Sequence, residues 1–253
     1  MRHVTVIGAG AWGTALAATA RRAGHDVKLY ARESEVVEAI NTTSENAVFL
    51  PGVTLPDGIF ATSNLEAAVY GADAVLLVVP SQFMRGVAES LNDLMPDEMP
   101  VILASKGIEQ KSLKLMNEVV EEAMPNHPLA ALAGPSFAAE VARGQPAALT
   151  LACADEGLGA HLMENLASPM FRVYLSNDVV GAEIGGAVKN VLAIACGIIE
   201  GRKFGDNARA ALITRGLAEM MRLGEAKGAE METMVGLGGL GDLVLTCNAM
   251  QSR

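Results

Sequence analysis

The sequence predicts an α/β protein in two parts: a parallel β-sheet flanked by helices over residues 1–180, and an all-helical region over residues 181–253. Three observations carry this expectation. Short β-branched runs alternate with helix-length amphipathic segments through most of the first part, the pattern of repeated βα units. From about Val180 the alternation gives way to long helical stretches. Charge changes at the same place: residues 1–180 hold 11 basic and 21 acidic side chains, whereas residues 181–253 hold 8 of each. No low-complexity linker or internal repeat separates the parts, so the boundary is set near Asp178–Gly181.

The elements follow in order. His3–Ile7 is a strand and Ala11–Arg22 a helix; Asp26–Tyr30 and Glu33–Asn41 repeat the unit. Ala74–Val79 precedes a helix over Gln82–Met95, Val101–Ala104 one over Lys111–Met124, and Leu129–Ala133 one over Phe137–Arg143. Ala74–Val79 and Val101–Ala104 are continuously apolar, as strands covered on both faces should be. Ala147–Ala152 and Arg172–Leu175 read as further strands around a helix near Gly157–Ala167. Two long helices, Val180–Glu200 and Ala208–Lys227, then lead to a loop at Gly236–Gly241.

Composition narrows the function classes. The chain has 253 residues, 51% of them hydrophobic and 19% charged, enough apolar side chains for a sizeable core. Its net charge of −10 argues against attachment to nucleic acid or an anionic membrane by bulk charge, so an anionic ligand needs a local site. Cys153, Cys196 and Cys247 are far apart without CxxC spacing, which indicates neither a disulfide framework nor a zinc site and fits a reducing cytoplasm. No export signal is apparent at the start. The longest apolar run, Val191–Ile199, falls short of the ~20 residues that span a bilayer, so no stable membrane insertion is expected.

Gly8, Gly10 and Gly13 form a GxGxxG that follows the first strand and opens the first helix. Backbone N–H groups and the helix dipole can there meet a pyrophosphate, the arrangement of a Rossmann-like dinucleotide site. At the end of the second strand, Arg32 favours a 2′-phosphate and hence NADP(H), while Glu33 leaves NAD(H) possible; a solvated surface arginine is the plainer alternative. Lys106 sits at the carboxyl end of a strand, where open α/β sheets bind ligands, although lysines also begin loops for solubility. Ser136 either caps the helix after it or offers its hydroxyl to a ligand.

The helix Val180–Glu200 is apolar almost all round, yet it carries Gly185-Gly186 and Lys189-Asn190. Paired glycines cost a helix ~1 kcal/mol each relative to alanine, so something must approach its backbone closely. Lys189 has no acidic neighbour one turn away and no polar face on which to reach solvent. Burial would push its pKa down, toward proton-transfer use. Asp242, ending the glycine-rich loop, either meets Lys189 or caps the next helix.

In their order along the chain, GAGAWGTAL at Gly8–Leu16, VPSQ at Val79–Gln82, SKGIE at Ser105–Glu109, AGPSFAAE at Ala133–Glu140, GGAVKN at Gly185–Asn190 and GGLGDLVLTC at Gly238–Cys247 carry a resemblance. The chain resembles, over its whole length, the bacterial-type NAD(P)-dependent glycerol-3-phosphate dehydrogenases. The first stretch is common to many dinucleotide enzymes; the last three motifs are specific. The resemblance implies that Lys189 is the proton donor and acceptor and that Asp242 lies in the substrate site. It implies that Lys106, Gly134 and Ser136 contact substrate and that Asn190 and Thr246 line the site. Ala11, Trp12, Arg32, Lys106 and Ala138 would contact cofactor beside Gly8, Gly10 and Gly13. Ser252 and Arg253 match the start of a phosphate-binding Ser-Arg-Asn, with Arg253 also on the cofactor. The family continues beyond that point, so the helical part is expected to be incomplete relative to it. The implied substrates are dihydroxyacetone phosphate and sn-glycerol 3-phosphate, with glycerol 3-phosphate feeding phospholipid synthesis; the implied assembly is compatible with a homodimer. The competing readings are another β-hydroxyacid-type dehydrogenase and a cofactor-binding fragment without turnover.

Overall fold

The structure is a computed structural model and describes residues 1–248. Ser252 and Arg253 therefore lie outside the described residues. The first βα units are β1 (His3–Ile7), α1 (Ala11–Arg22), β2 (Asp26–Tyr30) and α2 (Ser34–Thr43). They are followed by β3 (Ile59–Thr62), α3 (Leu65–Val69), β4 (Ala74–Leu77), α4 (Met84–Asn92), β5 (Val101–Leu103) and α5 (Met116–Ala123). The sheet is completed by β6 (Leu129–Ala133), α6 (Ala138–Ala142), β7 (Ala147–Cys153), α7 (Glu156–Leu166) and β8 (Phe171–Ser176).

These strands make one eight-stranded sheet in the order β3-β2-β1-β4-β5-β6-β7-β8. The order reverses direction at β1 and β4, and open α/β sheets bind ligands in the crevice at such a point. Helices cover both faces. One apolar layer joins Val6, Leu29 and Leu76 to Ala15 and Ala18 of α1; the opposite layer joins Leu77 and Leu103 to Met84 and Leu91 of α4 and Val119 of α5.

Three features of the sheet part differ from the sequence expectation. The four-residue edge strand β3 and the short α3 had no counterpart in it; IFAT leaves Phe60 exposed and pairs on one side only, so it gives neither clear alternation nor a long apolar run. The sheet is not wholly parallel: β7 runs antiparallel to β6, because the five-residue α6 and the turn at Gly144 reverse the chain instead of carrying it back across the sheet. The helix expected from Lys111 begins only at Met116, since an isolated bridge between Ile108 and Leu115 closes the preceding residues into a loop.

The helical part comprises α8 (Val179–Gly201), α9 (Asp206–Ala226), α10 (Met231–Val235), a single π-helical turn at Leu237–Gly241, and α11 (Asp242–Asn248). Asp178 caps α8 by accepting a hydrogen bond from the Gly181 N–H at 2.8 Å. Among the described residues, α8 is long and apolar enough by length and composition to cross a bilayer. Its first half is buried, whereas Val191, Ile194 and Ile198 form an exposed apolar stripe on its second half. Ile184, Ala193 and Cys196 of α8 share a core with Met220, Met234, Leu243 and Cys247, and Leu115 enters that core from the sheet side.

Candidate active site

Two adjoining features lie at the carboxyl ends of the central strands. The first is a cleft of about 740 Å³, walled by Gly8–Gly13, Tyr30, Arg32, Phe49, Val79, Phe83 and Lys106. The motif glycines divide the work within it. A Cβ on Gly13 would stand 1.8 Å from the Gly8 carbonyl oxygen, and one on Gly8 would stand 2.5 Å from that of Val78. Those two glycines let α1 sit tightly on β1 and β4. A Cβ on Gly10 would have no neighbour within 4 Å, so this position opens onto the cleft. No side chain caps the α1 N-terminus, and the buried Trp12 indole Nε1 has no hydrogen-bond partner. Unclaimed N–H groups at a helix start suit a pyrophosphate. The cradle thus fits a dinucleotide.

Asn46 was not anticipated. Its buried amide donates to the Ala9 carbonyl and to Thr14 Oγ1, each at 2.8 Å, and braces the glycine turn from a distant, irregular segment. Phe49 and Phe83 were also missed, because an exposed aromatic residue has no distinctive spacing, as was the half-buried Tyr30 at the end of β2. Arg32 stands at the cleft mouth with its side chain 81% exposed, paired with Glu33 at 2.9 Å. Ala11 lies on the cleft wall, while Ala138 opens α6 and packs toward the α1 side of the core.

The second feature is a buried recess around Asp242, whose side chain is wholly inaccessible. Lys189 of α8 bonds one carboxylate oxygen, and Lys106, after β5, bonds the other at 2.5 Å. The sequence left Asp242 between two roles; it meets Lys189, and it also meets Lys106. The close approach required by the paired glycines has two sources. A Cβ on Gly185 would stand 2.2 Å from the Gly238 carbonyl oxygen, and one on Gly186 would stand 3.0 Å from Lys106 Cγ. Two ammonium groups on one carboxylate leave a surplus positive charge, an arrangement that attracts an anion. Burial, then Lys106, pushes the Lys189 pKa down to about 8 against the opposing pull of Asp242.

The loop carrying Lys106 is firmly tethered. Ser105 Oγ donates to the Val79 carbonyl at 2.6 Å, and Gln82 donates to the Ile108 carbonyl at 2.8 Å while accepting from the Gln110 N–H. Arg85 makes a two-pronged pair with Glu109, holding the Glu109 carboxyl down at about 2. Lys106 Nζ also lies 3.4 Å from the Gly134 carbonyl, which accepts from the Ser136 hydroxyl at 3.1 Å. Ser136 does not cap α6, whose N-cap is Phe137. Thr246 is buried and donates to the Asp242 carbonyl at 2.7 Å. Asn190 is exposed. No cluster of metal-ligating side chains occurs among the described residues.

Two family models match the chain: NAD-dependent glycerol-3-phosphate dehydrogenase N-terminus over residues 3–158, and the C-terminus of the same enzyme over residues 178–253. The chain belongs to this family. A glycerol-3-phosphate dehydrogenase [NAD(P)+] of Rhodospirillum rubrum is 59% identical over 251 residues, spanning 99% of this chain and 72% of the relative. One from Paramagnetospirillum magneticum is 58% identical over 253 residues, spanning 100% and 92%. The crystal structure of glycerol-3-phosphate dehydrogenase from Coxiella burnetii, 42% identical, superposes with a TM-score of 0.95 and covers 100% of this chain and 77% of its own. The family match bears out the expected identity, and the superposition bears out the expected fold class.

Proposed function

We propose that this protein is an sn-glycerol-3-phosphate dehydrogenase that interconverts dihydroxyacetone phosphate and sn-glycerol 3-phosphate with NADPH or NADH, supplying glycerol 3-phosphate for phospholipid synthesis. The observation that carries the reading is the Lys106–Asp242–Lys189 cluster beside the dinucleotide cleft. Bound there, the nicotinamide would supply hydride to the substrate's C2 carbonyl or accept it in return. Lys189 gives the C2 oxygen its proton during reduction and takes it back during oxidation, a task suited to a pKa of about 8. Its charge also stabilises negative charge developing on that oxygen. Asp242 fixes the direction of the Lys189 amine, and Lys106 adds a second cation for the substrate.

Gly134, Ser136, Asn190 and Thr246 complete the proposed substrate site, and Gly8, Gly10, Ala11, Trp12, Gly13, Arg32 and Ala138 the cofactor site. By the resemblance, Ser252 and Arg253 hold the substrate phosphate, with Arg253 also meeting the cofactor. Residues 1–180 then form the nucleotide unit and residues 181–253 the substrate unit of a cytoplasmic enzyme, assembled as a homodimer. The test follows NADPH oxidation with and without dihydroxyacetone phosphate, beside a panel of carboxylate substrates. Oxidation that depends on dihydroxyacetone phosphate supports the reading; a preference for a carboxylate, or cofactor binding without turnover, overturns it.

A further inference from the structure

α5 begins with a capping problem. Its N-cap residue is Leu115, whose side chain offers no acceptor for the unpaired N–H groups of the first turn. Glu118 reaches back to the Leu115 N–H at 2.7 Å and satisfies one of them. An acceptor for further N–H groups of the turn comes from the other part of the molecule. Glu183, buried on α8, receives the Asn117 N–H on both carboxylate oxygens at 3.1 Å. Burial, reinforced by the nearby Glu118 and Glu121, pushes the Glu183 carboxyl up to about 8. Burial disfavours its charged form, so what the position keeps inside is chiefly a hydrogen-bond acceptor for α5 and not a free charge. What the glutamate supplies here is an acceptor that reaches from α8 to the start of a helix in the other part of the molecule.

The position joins two segments that meet again in the recess. Before α5 runs the loop that carries Lys106, closed at its base by the Ile108–Leu115 bridge. On α8, one turn after Glu183, comes Gly186, against which the Lys106 stem packs, and Lys189 follows. We propose that Glu183 is a positioning residue for the dehydrogenase reaction: by capping α5 from α8 it fixes the Lys106 loop against the Lys189 helix and sets how the two lysines share Asp242. This rests on the functional reading above. The groups that face Lys189 are Lys106, Asp242 and Cys247. If the latch loosens, Lys106 withdraws and its repulsion of Lys189 weakens.

The experiment compares Glu183→Met, which keeps the volume and removes the acceptor, with Glu183→Gln, which keeps both, and with Glu183→Asp, which draws the acceptor back by one methylene. Two quantities are measured on the full chain: kcat/KM for dihydroxyacetone phosphate with KM for NADPH, and the Lys189 pKa by NMR of isotopically methylated lysines. In Glu183→Met the substrate kcat/KM should fall roughly 10- to 100-fold, the scale of small misplacement at a reacting centre, with KM for NADPH unchanged. Its Lys189 pKa should rise above the wild-type value. Glu183→Gln should restore both quantities, and Glu183→Asp should fall between. A folded Glu183→Met with wild-type kcat/KM and wild-type Lys189 pKa overturns the proposal; if that variant does not fold, wild-type behaviour of Glu183→Asp does so. The lysine titration needs no substrate. Wild-type protein without turnover would thus defeat the functional reading while the titration still decides the role of Glu183.

Discussion

The nucleotide cleft and the lysine–aspartate recess share a border at Lys106 but are built on opposite principles. The cleft is made mainly of backbone and apolar side chains, and its central requirement is the absence of Cβ atoms at Gly8 and Gly13. The recess is made of three charged side chains brought together from the loop after β5, from α8 and from α11, and largely withdrawn from water. A backbone site fails by steric obstruction, whereas a charged site fails when one partner is removed and another is left buried alone, which costs ~3–5 kcal/mol. The two sites can therefore be damaged independently.

The sharpest separation is expected from Lys189→Met. Turnover should drop by ~10²–10⁴ with loss of the acid/base group, while NADPH affinity, measured by fluorescence titration, stays within a few-fold. Comparable loss in both measurements would erase the distinction between the sites. The reverse damage comes from the glycines. Gly13→Ala should lower both stability and NADPH binding, since its Cβ would meet the Gly8 carbonyl; Gly10→Ala should keep the melting temperature and weaken only NADPH. Equal melting temperatures for the two variants would contradict that division.

A moderate effect is expected from pH. Lys189 is mostly charged below pH 8 and mostly neutral above it. Accordingly, kcat/KM for reduction should fall as pH rises through about 8, and that for glycerol 3-phosphate oxidation should rise over the same range. Parallel pH limbs in the two directions would remove Lys189 from the proton transfer. Stability carries the same signature: the folded-state pKa lies below the ordinary 10.5, so this lysine's cost to folding is full below pH 8 and is relieved between pH 8 and 10.5. The smallest effect belongs to Arg32→Ala at the exposed mouth of the cleft. It should reduce kcat/KM for NADPH by about tenfold and leave NADH nearly unchanged, the size of one charge-assisted hydrogen bond. Equal losses would make Arg32 a surface residue only.

What the sequence made legible follows the same border. The glycine turn is a contiguous motif, and most of the βα units around it announce themselves by local periodicity. Lys189 was legible for a different reason: an apolar helix without a polar face gave its ammonium nowhere to go. The sharing of Asp242 by Lys106 was not, because the two residues lie 136 positions apart and nothing local to either implies the other. Asn46 and Glu183 were hidden for the same reason, since each satisfies backbone groups of a distant segment. The edge strand β3 and the reversal at β7 depend on pairing geometry, which hydrophobic pattern alone does not encode.

The contact between Gly185 and Gly238 has a consequence for how this site can change. Backbone meets backbone there, with no side chain between to be exchanged for a slightly larger or smaller one. The joint that brings α8 to the turn before Asp242 therefore cannot be adjusted in small steps: any substitution at Gly185 pries the two apart. New specificities have to be written elsewhere on the rim, around a lysine–aspartate cluster that descendants inherit whole or lose.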